Sequence, residues 1–249
     1  MIQDLHSHTY YSFCGKDSPE RIVEAAIEGG IQLFGFTDHA HGVGFCRHDA
    51  RKAPIDVIPN KYPQRTLQRY FEHMTLIRDK YAGKIRILRG IEVATTTSLE
   101  KVILPDDADI SFFDYCLLEH LDDETSCTKG DLFSFAKRCG CPAVGVAHTD
   151  LLSFIKKRGE DPLEYLSRMA EQNIFWEMNV SFDSIHKYHE HEYMLRFFES
   201  KEEQQLVRRS GVRLSIGFDG HRIEDYLPQR VQDYCKRVQD MGIKLVFED

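Results

Sequence analysis

The chain has 249 residues, within the range where one α/β barrel forms a single domain, and at 42% hydrophobic it can bury a sizeable core. A formal net charge of -8 argues against a nucleic-acid footprint. No apolar run approaches the roughly 18 residues of a membrane span, and residues 1–6 show neither the basic nor the apolar region of a secretory signal.

Taken in chain order, short β-like runs alternate with amphipathic stretches. A first strand is predicted over 2–5. A helix follows over 19–29, with Ser18 as cap, Pro19 at its first position, and Ile22, Ala25, Ala26 and Gly29 on one face. Further strands are predicted over 31–37, 85–93, 114–118, 143–147, 174–180 and 212–218. Helices are predicted over 62–81, 131–139, 162–172, 193–210 and 224–242, and 244–247 reads as a short closing strand. Seven β-then-α units in succession predict a parallel, barrel-like sheet. The strands are rich in Val, Ile, Leu and Phe, as strands covered by helices should be. No repeat, low-complexity tract or linker interrupts residues 1–249, so a single domain is expected. Segment 40–60, with Gly42, Gly44, Pro54 and Pro59, reads as a substrate-side lid. Seven cysteines at irregular spacings, with Cys139-Gly-Cys141 too short for a CxxC pair, read as reduced thiols in a cytoplasm.

The histidines and acids are not scattered. His6 and His8 close the first predicted strand, Asp38 and His39 the second, and Glu92 the third. His120 follows the fourth and His148 the fifth, while Asp219 and His221 follow the seventh. Active sites of such barrels lie at the C-terminal ends of the strands, so these residues should converge at one mouth. In His6-Ser7-His8, residues i and i+2 share a face, so both imidazoles can reach one ion. Asp219-Gly220-His221 repeats the spacing from the opposite rim. Imidazole suits Zn and Fe, and a carboxylate can bridge two ions. Six histidines with Glu92 and Asp219 exceed one tetrahedral site of about four ligands. They predict a multinuclear cluster with Glu92 or Asp219 as bridge.

The pattern resembles the PHP (polymerase and histidinol phosphatase) family over nearly the whole chain. The resemblance rests on Asp4-Leu5-His6-Ser7-His8-Thr9, Phe36-Thr37-Asp38-His39, Gly90-Ile91-Glu92, Ala147-His148 and Gly217-Phe218-Asp219-Gly220-His221. It implies an α/β fold of the distorted (β/α)7 TIM-like barrel type. It also implies two to three divalent metal ions (Zn, Mn or Fe) and hydrolysis of a small phosphate ester such as histidinol phosphate. The ligands it carries over are His6, His8, His39, Glu92, His120, His148, Asp219 and His221. Two departures stand out. Where the family usually has Asp or His, six residues after His8, this chain has Cys14, with Asp17 three further on. A thiolate ligand suits Zn, so Cys14 joins the candidate ligands, and the bland alternative is a small buried thiol. Before His120 stand Leu117-Leu118-Glu119 in place of small and β-branched residues, and Glu119 reads as an outer partner.

Several roles follow from this reading. Asp219, His221 and His39 are the candidates for proton transfer at the mouth. Arg222, Lys16 and Arg47 are the candidates for substrate phosphate. His41, His48 and Arg51 are expected in a solvated loop, and His186, His189 and His191 on the surface. Asn179 is expected to orient a ligand or substrate, Trp176 to lie in the core, and 199–203 to form a solvated helix face. No membrane or nucleic-acid partner is expected. Two competing readings are an amidohydrolase-type barrel acting on C–N or lactone bonds, and a catalytically weak metal-stabilised module. The terminal Asp219-Gly220-His221 and the Glu92 motif count against the first. Retention of almost every ligand counts against the second.

Overall fold

A computed structural model describes residues 1–47, 58–59, 62–96, 105 and 107–248. Its main sheet has seven strands: β1 (Gln3–Asp4), β2 (Leu33–Phe36), β3 (Arg86–Ala94), β4 (Tyr115–Glu119), β5 (Val144–Val146), β6 (Ile174–Asn179) and β7 (Leu214–Gly217). Each strand pairs in parallel with the next. The last meets the first through Leu5 N donating to Ile216 O at 2.9 Å and Asp219 N donating to His6 O at 2.8 Å. The architecture is thus the (β/α)7 TIM-like barrel that the sequence predicts.

Strand alternation sorts the core into two layers. Tyr115 and Leu117 point inward with Leu5, Leu33, Ala143 and Phe175. Cys116 and Leu118 point outward, against the helices, with Phe34, Phe36 and Trp176. Tyr115 spans the interior and donates to Leu5 O at 2.7 Å. Gly35 and Gly90 make room for it, since a Cβ at Gly35 would lie 1.9 Å from the tyrosine hydroxyl oxygen and one at Gly90 2.6 Å from the ring carbon Cζ. The segment 244–247 is not a full strand. A single bridge joins Leu214 and Leu245, and Val246 seals the inner layer from below.

The helices are α1 (Pro19–Glu28), α2 (Pro63–Lys80), α3 (Leu132–Cys139), α4 (Leu151–Lys157), α5 (Pro162–Glu171), α6 (Glu192–Glu199), α7 (Lys201–Ser210) and α8 (Pro228–Asp240). Three differ from the sequence expectation. Helix α4 is additional. The helix expected over 193–210 is two, broken at Ser200, whose hydroxyl accepts from Glu203 N and caps α7. The last helix begins at Pro228 rather than 224, because Ile223–Asp225 form a 3-10 turn and proline suits a first helical position. Of the expected lid, the described part is a π-helical turn, His41–Phe45, and the backbone of a hairpin pairing Cys46–Arg47 with Ile58–Pro59. His48 and Arg51 lie outside the described residues, as does the side chain of Arg47. No helix among the described residues is long and apolar enough to cross a membrane.

Candidate metal centre

The strand ends deliver their side chains to one point. His6 Nε2 lies 3.2 Å from His8 Nε2, 3.4 Å from Asp219 Oδ1 and 3.3 Å from Glu92 Oε1. His8 Nε2 lies 3.0 Å from Asp219 Oδ1 and 3.5 Å from Glu92 Oε2. Four donors at the bond lengths of a tetrahedral zinc site stand about 3.3 Å from one another. The spacings among His6, His8 and Asp219 match that figure, and these three residues and Glu92 are all buried. Glu92 reaches further with both oxygens, to His148 Nε2 at 3.1 Å and to His39 Nδ1 at 2.8 Å. Its two oxygens thus face histidines on both sides of it. The buried His39 Nδ1 and Glu92 Oε2 face each other without hydrogen-bond geometry, as two donors aimed at a common ion would.

His221 stacks on His8 with ring centres 4.5 Å apart, and its Nε2 lies 3.9 Å from Asp219 Oδ1. Cys14 is half-buried, and its sulfur lies within 4.8 Å of donor atoms of His8 and His221. Asp17 is otherwise engaged: it accepts from Arg21 Nη1 at 2.8 Å and from Ile223 N at 2.9 Å. Asp38 is structural as well, accepting from Thr9 N and Oγ1, Ser12 Oγ and Tyr70 OH. It thereby ties the loop after β1 to α2. His120 is set back, with Nε2 3.0 Å from Glu119 Oε2 and its ring centre 5.9 Å from that of His148.

Electrostatics agrees with a site built for cations. Burial opposes protonation of His6, yet Asp219, Glu177 and Glu92 hold its pKa well above the ordinary value. The same contest, with Glu92 and Glu119 as the acids, raises His39. Burial would raise Asp219, but His6, His186 and His8 drive it well below the usual carboxylate range. Burial and the neighbouring His39 lower His8. Burial and His8 bring His221 down to about 3. The carboxylates demand positive charge here, and without an ion the histidines supply it unevenly.

The backbone at these positions is held in an unusual conformation. His120, His148 and Asp219 have φ of 61°, 28° and 57°. Left-handed backbone at non-glycine residues is sparsely populated, and it clusters at functional sites.

Four contributors escape the sequence reading. Glu177, inward on β6, accepts from His6 Nδ1 at 2.7 Å and from His148 N at 2.8 Å. That leaves His6 Nε2 facing the cluster, the usual outer-partner role of a carboxylate on a metal-binding histidine. His186 and His191 were expected on the surface, together with His189. His189 is exposed. His186, however, places Nε2 3.1 Å from Asp219 Oδ2, while Asp183 accepts from its Nδ1 at 2.7 Å. Asn179 donates to the same Oδ2 at 3.3 Å, the orienting part expected of it. Asp219 Oδ1 is thereby left to His6 and His8. His191 stacks on His148 with ring centres 6.1 Å apart. His41 is also not solvated: it is buried and stacked on His39, ring centres 4.8 Å apart.

Of the phosphate candidates, the side chains of two are described, and both turn to Glu224. Lys16 Nζ pairs with exposed Glu224 at 3.1 Å. Arg222 lies beside Ile22, Phe34 and Tyr226, with Nη1 4.0 Å from the same Glu224.

The donor set fits divalent cations: imidazole and carboxylate donors, buried, at ligand spacing. No curated protein sequence matches the chain. A solved histidinol phosphate phosphatase from Lactococcus lactis, complexed with zinc, L-histidinol and phosphate, is 16% identical with a TM-score of 0.55, covering 98% of this chain and 95% of that one. A putative histidinol phosphatase from Listeria monocytogenes is 18% identical with a TM-score of 0.42, covering 98% and 93%. A triazine hydrolase variant is 15% identical with a TM-score of 0.47, covering 89% of this chain and 46% of that one. The PHP domain model matches residues 4–247, nearly the whole of the seven-stranded barrel and its ring of donors, and the chain belongs to that family.

Proposed function

We propose that this chain is a metal-dependent phosphoesterase that releases phosphate from a small phosphate ester, histidinol phosphate being the first candidate. The observation that carries the reading is the donor ring itself: His6 and His8 after β1, Asp219 and His221 after β7, which adjoins β1 across the barrel closure rather than standing on the opposite rim, and Glu92 against His6 and His8. Two to three divalent ions held there would lower the pKa of water from 15.7 toward about 7 and neutralise charge on phosphate oxygens. The proposed ligands are His6, His8, Cys14, His39, Glu92, His120, His148, Asp219 and His221.

The chain's own groups do the rest. Glu177 and Asn179 orient His6 and Asp219. Asp219, with His221 beside it, and His39 are the proposed groups that take the proton from the attacking water and pass it to the departing alkoxide. Lys16 and Arg222 are tied to an exposed glutamate, a weak engagement that a phosphate can displace. Arg47 joins them as a proposed phosphate contact. The described cysteines are free, which fits work in a reducing cytoplasm by one domain spanning 1–249.

The test is a turnover screen of the Mn- or Zn-loaded protein on p-nitrophenyl phosphate and histidinol phosphate, against amide and lactone substrates. Phosphate release should dominate. Asp219→Asn should stay folded and lose about 10²–10⁴-fold in turnover or more. Turnover of amides or lactones without phosphate release, or an Asp219→Asn variant of undiminished rate, overturns the reading.

A further inference from the structure

We propose that Glu119 and His41 are direct metal ligands of this chain, with Glu119 a second bridging carboxylate beside Glu92. The proposal rests on the metal centre and not on the identity of the substrate.

Glu119 is placed by strand alternation. Tyr115 and Leu117 face the barrel interior, so Glu119, two residues further along β4, tops the same inward row. Its register partner on β3 is Ala94, two residues beyond Glu92. Both glutamates therefore present their carboxylates at one mouth from neighbouring strands. The Glu119 side chain is 1% exposed, and a buried carboxylate requires a charged partner. Its oxygens divide between two histidines: Oε1 lies 3.4 Å from His39 Nδ1, and Oε2 lies 3.0 Å from His120 Nε2.

His39 Nδ1 decides between an outer and a direct role. The same nitrogen lies 2.8 Å from Glu92 Oε2. If His39 Nδ1 is a donor to an ion bridged by Glu92, then Glu119 Oε1 stands at donor-to-donor spacing, about 3.3 Å for a site of zinc dimensions. His41 supplies the fourth side of that space. It is 2% exposed and stacked on His39. Donor atoms of His39, His41 and Glu119 lie within 4.8 Å of one another. The position of His41 is fixed by the turn at His41–Phe45, which begins two residues after His39. This group shares no residue with that of His6, His8 and Asp219, and Glu92 lies against members of both.

Its chemical consequence is charge. A second bridging carboxylate gives the centre Glu92, Glu119 and Asp219 together. It also connects set-back His120 to the cluster through Glu119 Oε2. Such a set favours two closely spaced divalent ions, with oxygen-rich coordination at the His39 side.

The test uses the full chain stripped of metal and reloaded with zinc or cobalt(II), with no substrate present. Glu119→Gln keeps the side-chain shape, and His41→Phe keeps the stack on His39. Circular dichroism checks that each is folded, and either variant alone tests the proposal should the other not fold. Each should weaken one ion by more than the roughly 10–100-fold typical of an outer partner. Each should also change the shape of the cobalt(II) visible spectrum, which reports the coordinating atoms. Unchanged stoichiometry and spectrum overturn the proposal. So does weakened binding with an unaltered spectral shape, the mark of an outer partner. Because no turnover is measured, a wild type that binds its ions but releases no phosphate sinks the phosphoesterase reading and leaves this inference standing.

Discussion

Glu177 acts on the cluster from behind its ligands. It stands in β6 between inward Phe175 and inward Asn179, and both its oxygens are used: one by His6 Nδ1, the other by the amide of His148. Gly217 on neighbouring β7 leaves it the space, since a Cβ there would sit 2.2 Å from Glu177 Oε1 and 2.5 Å from His6 Cβ. Gly217→Ala should therefore disturb both side chains without removing either. Overpacking of this kind typically destabilises by about 1–3 kcal/mol, and loss of the outer partner's geometry weakens metal binding by roughly 10–100-fold. Chemical denaturation and metal titration check the two effects, and an unchanged metal affinity would mean that Glu177 is not needed to aim His6. At this scale most of the proposed ligands were legible in the sequence, because they close or follow a predicted strand. Their supports were not. Glu177 lies inside an apolar run, where the signal was an acid at an inward position of a strand buried on both faces. His186 lacks ligand-like spacing, and His41, although it repeats the i, i+2 spacing from His39, lies past the strand end in a segment read as a solvated loop, so only the folded loops bring the two in.

Helix α4 shows what element-level reading could and could not do. The run Leu151-Leu152-Ser153-Phe154-Ile155 is too short to show a helical period, yet its cap was visible. Asp150 accepts from Ser153 N at 3.1 Å, and its carboxylate also takes both Arg196 nitrogens, at 2.9 and 2.7 Å. One side chain thus starts α4 and fastens α6 to it. Burial raises the Asp150 pKa, but Arg196 and Ser153 lower it more, so it lies below the ordinary value. A depressed carboxylate contributes stability that is present above its unfolded pKa of about 4 and is lost as pH falls through the folded value. Asp150→Ala should then cost about 1–2 kcal/mol at pH 7, chiefly through the lost cap, the exposed ion pair adding little. The gap between wild type and variant should narrow as pH falls below about 4. Urea midpoints at both pH values check this, with metal content unchanged as the control. The break at Ser200 was equally readable as a cap, but a helical pattern continues across it and hides the turn.

Across the whole molecule, the proposed ligands come from almost every strand end. His6 and His8 follow β1, His39 follows β2, Glu92 lies on β3, Glu119 ends β4, His148 follows β5, and Asp219 and His221 follow β7. Strand order alone made this convergence legible, since parallel β/α units put all these ends at one mouth. The closure of β7 on β1 runs through the site, because the amide of Asp219 donates to the carbonyl of His6. An ion bound there is bound only by the folded barrel. It should therefore stabilise the fold by about 2.7 kcal/mol when its concentration is 100 times its dissociation constant. For a protein of this size that is roughly 5–11 °C in thermal midpoint per ion. The effect should depend on pH in a stated direction. In the stripped protein the pKa values of His6 and His39 are raised above the ordinary histidine value of about 6.5, against burial and by the surrounding carboxylates. Raised histidines contribute stability that is full below about pH 6.5 and is lost as pH rises through their folded values. Metal binding runs the other way, because protons compete for the same nitrogens. The midpoint difference between zinc-loaded and stripped protein should thus be larger at pH 8 than at pH 6. Thermal scans of both forms, with elemental analysis confirming the stripping, check it. Equal midpoints at pH 8 would show that the ring of donors does not hold ions in the folded state.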